Sequence, residues 1–255
     1  MNLTAEQIIN NWNNLLKIIE ENIEESRCSK LIDLYKSYEE RLSTMPASHK
    51  KEYHGAFPGG YIYHVLGVTN NALLLYDLWE KAGADMSTFT KEELVFSAVN
   101  HDLGKMGTID EESYIPQTDQ WRKDKLGENY TFNSAVPFAS VPDRGLYILQ
   151  SYGIQYSFNE MVAIQTHDGL YDEGNKKYLQ GFLPEQKPRT CLPYILHQAD
   201  LMASRIEFEN EWLPKFKKKE EKPDILPKPE NKKPIKQKAL ENVKSNNLVN
   251  LLNNI

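Results

Sequence analysis

The chain has 255 residues, 40% hydrophobic and 26% charged, with a net charge of −6; this suits one generous domain or a domain with an appendage, and excludes a wholly disordered chain. No apolar run reaches the roughly 18–20 residues that cross a bilayer, and the start, MNLTAEQIINNW, lacks the basic and unbroken apolar stretches of a secretory leader. The cysteines Cys28 and Cys191 exclude a disulfide framework and a cysteine zinc site, and read as small core residues.

In chain order, Thr4 and Gln7 form a capping-box pair ahead of Ile8, Ile9, Trp12, Leu15, Leu16, Ile19 and Ile23, whose spacing predicts a first helix. A second is predicted over Leu31 to Leu42. The polar turn region HKKEYHGAFPGG, punctuated by Pro58-Gly59-Gly60, separates it from a long helix over Tyr61 to Trp79. Thr90 with Glu93 caps a helix running towards His101, and Ser157 with Glu160 caps another running towards His167. A final long helix is predicted over about Leu192 to Trp212. The segments from Gly104 to Val141 and from Gly169 to Arg189 read as irregular, and loops of that length are functional or mobile. No alternating run or paired hairpin marks a strand. The fold class is all-α, without internal repeats.

Charge divides the chain. Residues 214–238 carry ten lysines against four acids, with five prolines between them. Removing that excess of six positive charges from a net −6 leaves the remainder near −12. Such a stretch reads as an extended, solvated linker. Beyond it, residues 239–255 resume one apolar stripe through Leu240, Val243, Leu248, Leu251, Leu252 and Ile255. A helix that short needs a surface to dock on: its own body, a second copy of the chain, or another protein. The expected organisation is a helical body over 1–213, the linker, and the short C-terminal helix. The expectation is a soluble, cytoplasmic protein with no membrane partner.

The chemistry-bearing residues gather at helix ends. Asn100-His101-Asp102-Leu103-Gly104-Lys105 sets a histidine beside an aspartate after the apolar run Leu94, Val95, Phe96, Ala98, Val99. Imidazole nitrogen and carboxylate oxygen suit Mn²⁺, Fe²⁺, Co²⁺, Ni²⁺ or Zn²⁺, and Mg²⁺ takes the carboxylates. Lys105, about one turn beyond His101, could bring a cation to a phosphoryl oxygen. His-Asp pairs also arise by chance, as His167-Asp168 illustrates, and Asp168 is read as coincidental. His64 lies in PGGYIYHVLGV after a glycine turn. Asp200 lies in LHQADLMAS, where a carboxylate on the inner part of an amphipathic helix needs a partner. His197 sits one turn before Asp200. His167, ending a helix, acts on substrate or simply caps carbonyls. His54 in its polar loop and Arg144 after a proline turn are further candidates for a phosphate contact.

The ordered set His64, His101-Asp102, Asp200, each in its local context, resembles the HD-domain superfamily of metal-dependent phosphohydrolases. The resemblance covers about 53–209. GAFPGGYIYH, THDG and LHQAD are also similar to segments of HD-type 3′–5′ exoribonucleases. The resemblance implies a helical HD bundle with His64, His101, Asp102 and Asp200 ligating one divalent metal. It implies hydrolysis of a phosphate ester or anhydride, with a small phosphorylated substrate, a nucleotide, as the leading choice. Asp102, Lys105 and His167 would serve catalysis; His54, Lys105, Arg144, His167 and His197 would meet the substrate.

This sequence departs from the dinuclear members, which carry two further histidines between the HD pair and the last aspartate. His167 fits the later one, but Ser140 to Arg144 offers SVPDR and no histidine. One ion is therefore favoured over two, and nucleic acid ranks below a small substrate. The alternatives are an HD-type phosphodiesterase or 3′–5′ exonuclease on short nucleic acid, a di-iron HD-fold oxygenase, and a non-catalytic metal-binding regulatory or adaptor protein. In the last, the tail recruits a partner or a second copy of the chain.

Overall fold

A computed structural model describes residues 2–50, 53–211 and 213–214. The lysine- and proline-rich stretch beyond Pro214 and the helix expected over 239–255 lie outside the described residues. The described residues form an all-α fold. No helix among them is long and apolar enough to cross a membrane.

The capping boxes start helices where the sequence places them. Helix α1 (Ala5–Asn22) follows Thr4, whose side chain accepts from the Gln7 N–H. Helix α5 (Lys91–Asn100) follows Thr90 and Glu93, and α7 (Phe158–Thr166) follows Ser157 and Glu160, each with the reciprocal pair complete. The long helices α4 (Gly60–Lys81) and α9 (Leu192–Glu211) match their predicted spans closely.

The second predicted helix is corrected. It begins earlier, as α2 (Glu25–Ser37), breaks at Tyr38, and resumes as α3 (Glu39–Thr44). Its polar first turn has no apolar periodicity and is held instead by Arg27. The Arg27 guanidinium donates to Glu160 Oε1 at 2.9 Å, to Glu92 Oε1, and lies over the Phe96 ring. Tyr38 leaves helical geometry with φ −122°, its N–H closing the last turn of α2 on the Tyr35 carbonyl at 3.1 Å; its hydroxyl meets that of Tyr152 at 3.1 Å.

Two elements lie inside or beside the segment read as irregular. A small antiparallel hairpin pairs β1 (Tyr114–Pro116) with β2 (Tyr130–Phe132) in the register Tyr114↔Phe132. Three-residue strands are too short to alternate visibly. Helix α6 (Val141–Ser151) starts at Ser140, whose hydroxyl accepts from the Asp143 N–H, with Pro142 in the first turn. A short helix α8 (Lys176–Leu179) lies in the second irregular segment.

Two apolar clusters hold these helices. One joins α1, α2, α4, α5 and α6 through Leu15, Leu31, Val65, Phe96 and Leu149. The other joins α4, α5, α7 and α9, and it is rich in small residues: Ala72, Ala98, Ala163, Ala199 and Ala203. Small side chains let α9 lie close along α4, let α5 approach both, and let α7 pack against α9 and α5. Polar side chains on those four helices are thereby brought within reach of one another. Cys28 and Cys191 are half-buried free thiols packed at the edges of the clusters.

Candidate metal centre

His64 stands early in α4, and the turn before it is fixed by glycine. Gly59 adopts φ +80°, and a Cβ on Gly60 would lie 2.0 Å from the carbonyl oxygen of Gly55. His101 and His167 occupy equivalent places, each the residue that ends its helix, α5 and α7. Asp102 follows His101 and opens the 3-10 turn Leu103–Met106. Gly104 in that turn is required by packing, since its Cβ would lie 2.0 Å from the Val141 carbonyl oxygen at the start of α6. Asp200 projects from α9, and Glu207 lies on the same helix two turns further.

Each of the three buried imidazoles has its Nδ1 committed. His101 Nδ1 lies 2.7 Å from the Ala98 carbonyl, and His167 Nδ1 lies 2.7 Å from the Ile164 carbonyl. His64 Nδ1 lies 3.1 Å from Glu207 Oε1. Carbonyl and carboxylate oxygens only accept, so each Nδ1 carries the proton and each Nε2 is left to face inward. The Nε2 atoms converge on two carboxylates. His64 Nε2 is 3.1 Å from Asp200 Oδ1 and 3.7 Å from Asp102 Oδ2. His101 Nε2 is 3.3 Å from Asp102 Oδ2, and His167 Nε2 is 3.5 Å from Asp102 Oδ1.

These approaches are close, yet the buried Nε2 atoms of His64 and His101 have no hydrogen-bond partner of proper geometry. A buried polar atom left unsatisfied costs about 1–3 kcal/mol. Nitrogen and oxygen donors pointing at a common space, with the far side of each imidazole anchored, are what a divalent cation resolves. Donor atoms of His64, His101 and Asp200 lie within 4.8 Å of one another, as do those of His101, Asp102 and His167. The residues therefore fit a metal ion, and the nitrogen–carboxylate donor set suits a first-row divalent cation.

The electrostatics agree. Burial alone would depress His64, but Asp200 and Glu207 outweigh it and push its pKa up to about 10. Burial is likewise overcome at His167, where Asp102 and Asp168 push it up to about 9. Asp102, raised by burial but lowered more by Lys105 and His101, is held well below the usual carboxylate range; Asp200 is held low chiefly by His64. The carboxylates thus recruit protons where a cation would sit.

The other sequence candidates divide. Lys105 Nζ lies 2.6 Å from Asp102 Oδ2, beside the cluster, and that carboxylate outweighs burial to raise its pKa. His197 donates from Nδ1 to the His167 carbonyl at 2.8 Å, its ring packed on Gly169, where no Cβ would fit. Its Nε2 is the nitrogen left for a ligand. The His54 ring stacks on that of His64 with centroids 4.3 Å apart, and burial first, then His64 and Lys105, hold it neutral. Arg144 is put to a different use. Its guanidinium donates to the carbonyls of Gly104, Pro137 and Ala139, tying α6 to the turn after Asp102. That segment, SVPDR, is the one where dinuclear HD proteins would carry a further histidine. Asp168, read as coincidental, lies at the edge of the cluster, its Oδ2 3.6 Å from His167 Nε2.

Sequence reasoning missed Glu207. A signal existed: Ala199, Ala203 and Glu207 recur every four residues, which sets a glutamate on the buried stripe of α9. A cleft of about 570 Å³ opens beside the cluster, lined among others by His54, Asp168, Tyr171, His197, Asp200 and Arg205. It gives a small ligand a way to the carboxylates. Comparison of the chain with protein-family models, with curated proteins and with solved structures finds no match in any of the three.

Proposed function

We propose that the chain is a metal-dependent phosphohydrolase of HD-domain type, cleaving a phosphate ester or anhydride of a small nucleotide. The observation that carries this reading is the convergence of three imidazole Nε2 atoms on Asp102 and Asp200, with Lys105 alongside and a cleft in front. The order of those residues along the chain, and the resemblance of their local segments to HD proteins, support it further.

His64, His101, Asp102 and Asp200 would hold the ion. When bound, the ion polarises a phosphoryl oxygen and lowers the pKa of water to about 7. Lys105, fixed on Asp102, presents its ammonium where charge builds on the phosphoryl group. His167 adds a second positive charge on the opposite oxygen of Asp102. His197, with Nδ1–H committed to a carbonyl, would take up at Nε2 the proton released by the attacking water and return it to the leaving oxygen. The acidic body of the chain favours a small substrate over a long polyanion.

The test is product analysis by ion-exchange chromatography. The protein is incubated with Mn²⁺ and a panel of ribo- and deoxynucleoside mono- and triphosphates and a short oligonucleotide. Phosphate or triphosphate release is expected, and it should be lost in His101→Ala and Asp102→Ala while helical circular dichroism persists. Single nucleotides released from the oligonucleotide alone would shift the reading to an exonuclease. No product from any panel member, in protein shown to hold metal, would overturn it.

A further inference from the structure

We propose that His54 is an additional metal ligand, joining the ion held by His64, His101, Asp102 and Asp200 from the loop that precedes α4. The inference rests on the metal-centre reading and extends it to a residue outside the helices that build the cluster.

The geometry is specific. A donor atom of His54 lies within 4.8 Å of donor atoms of both His64 and Asp102. The two imidazoles are stacked, with 28° between their planes. His54 Nε2 is buried and has no hydrogen-bond partner, the same condition found at His64 Nε2 and His101 Nε2. A loop histidine with no function has little reason to leave a buried nitrogen unsatisfied, since a shift towards solvent would satisfy it.

The backbone around His54 is not free to make that shift. The Ala47 N–H donates to the Gly55 carbonyl at 2.8 Å, and the Gly59 N–H donates to the Thr44 carbonyl at 2.9 Å. Gly55 adopts φ +60°, and a Cβ there would meet Ala47 Cβ at 2.7 Å. The stretch from His54 to Gly59 is thus tied to Ala47 and to the end of α3. The His54 imidazole is held over His64, on the side of the cluster that faces the cleft. A ligand in that position completes a shell whose other donors come from the interior helices.

The experiment uses the full chain and cobalt(II) alone. His54→Phe keeps a flat ring to stack on His64 and removes both nitrogens. We expect His54→Phe to bind cobalt at least about tenfold more weakly, since even outer partners of metal ligands are worth about 10–100-fold. We also expect its visible absorption to differ in band position or intensity, with an unchanged metal-free melting temperature. Affinity within about twofold and an unchanged spectrum would overturn the assignment while leaving the metal centre standing. A wild-type chain that takes up no cobalt would overturn the metal centre itself, and the assignment with it. If His54→Phe does not fold, the decision comes from wild type by mapping carbethoxylation with peptide mass spectrometry. Cobalt should protect His54 from diethyl pyrocarbonate, and undiminished modification of His54 in cobalt-saturated protein would overturn the assignment.

Discussion

Glu207 and His64 meet across the α4–α9 interface, Oε1 to Nδ1 at 3.1 Å, and both side chains are buried. The carboxylate fixes which nitrogen of His64 carries the proton, how the ring is turned, and how basic Nε2 is. Glu207→Ala should therefore weaken divalent-metal binding by about 10–100-fold, measured by calorimetric titration with Mn²⁺ or Co²⁺. The far-ultraviolet circular dichroism should not change. An unchanged affinity would mean that Glu207 only fills space.

The pH dependence of the metal-free protein follows from the same cluster. His64 and His167 have pKa values raised to about 10 and about 9 in the folded chain, against about 6.5 unfolded. Their contribution to stability is fully present below about pH 6.5 and is lost as pH rises through 9 to 10. Asp102 and Asp200 are depressed, so their contribution is present above about pH 4 and is lost as pH falls through their folded values. Metal-free melting temperature should decline from pH 6.5 to pH 10. Metal must displace the proton, so uptake should release protons and tighten as pH rises over that range. A metal-free melting temperature that climbs above pH 6.5 would contradict this ordering.

Gly104→Ala tests the packing behind Asp102. The added Cβ would face the backbone at Val141, which cannot rotate aside as a side chain can. Forced overpacking costs about 1–3 kcal/mol, visible as an earlier midpoint in urea. Because the same turn carries Asp102 and Lys105, metal affinity should fall with it.

Arg144 gives the opposite pattern. Its donors are taken by backbone carbonyls, so Arg144→Ala should cost about 1–3 kcal/mol of stability. Metal affinity and KM should stay within about twofold of wild type. A large rise in KM at unchanged stability would return Arg144 to the substrate.

Much of this arrangement was legible in the residues themselves. Capping boxes at Thr4, Thr90 and Ser157 announced three helices, because a cap is a local interaction read within four residues. The placement of His64, His101, Asp102 and Asp200 in one cluster matches their expected grouping, and His167 joins them. What escaped notice depended on distant partners. The first turn of α2 is secured by Glu92 and Glu160, far along the chain. Arg144 looked available for phosphate because the carbonyls that occupy it come from a turn forty residues earlier and from a loop without a motif. Glu207 carries only a weak signal, since a glutamate in a helix usually faces water.

Helices α5 and α7 are built alike: each opens on a capping box and ends on a histidine whose Nδ1 donates to the carbonyl three residues back. Both ends of each helix are thus set by side chains, and the helix acts as a ruler between a cap at the rim and a ring at the centre. An inserted residue would turn the terminal imidazole by about 100° and carry its Nε2 out of the cluster. Seen this way, the spacing from Thr90 to His101 and from Ser157 to His167 is itself part of the centre, although no side chain between them is among its donor groups.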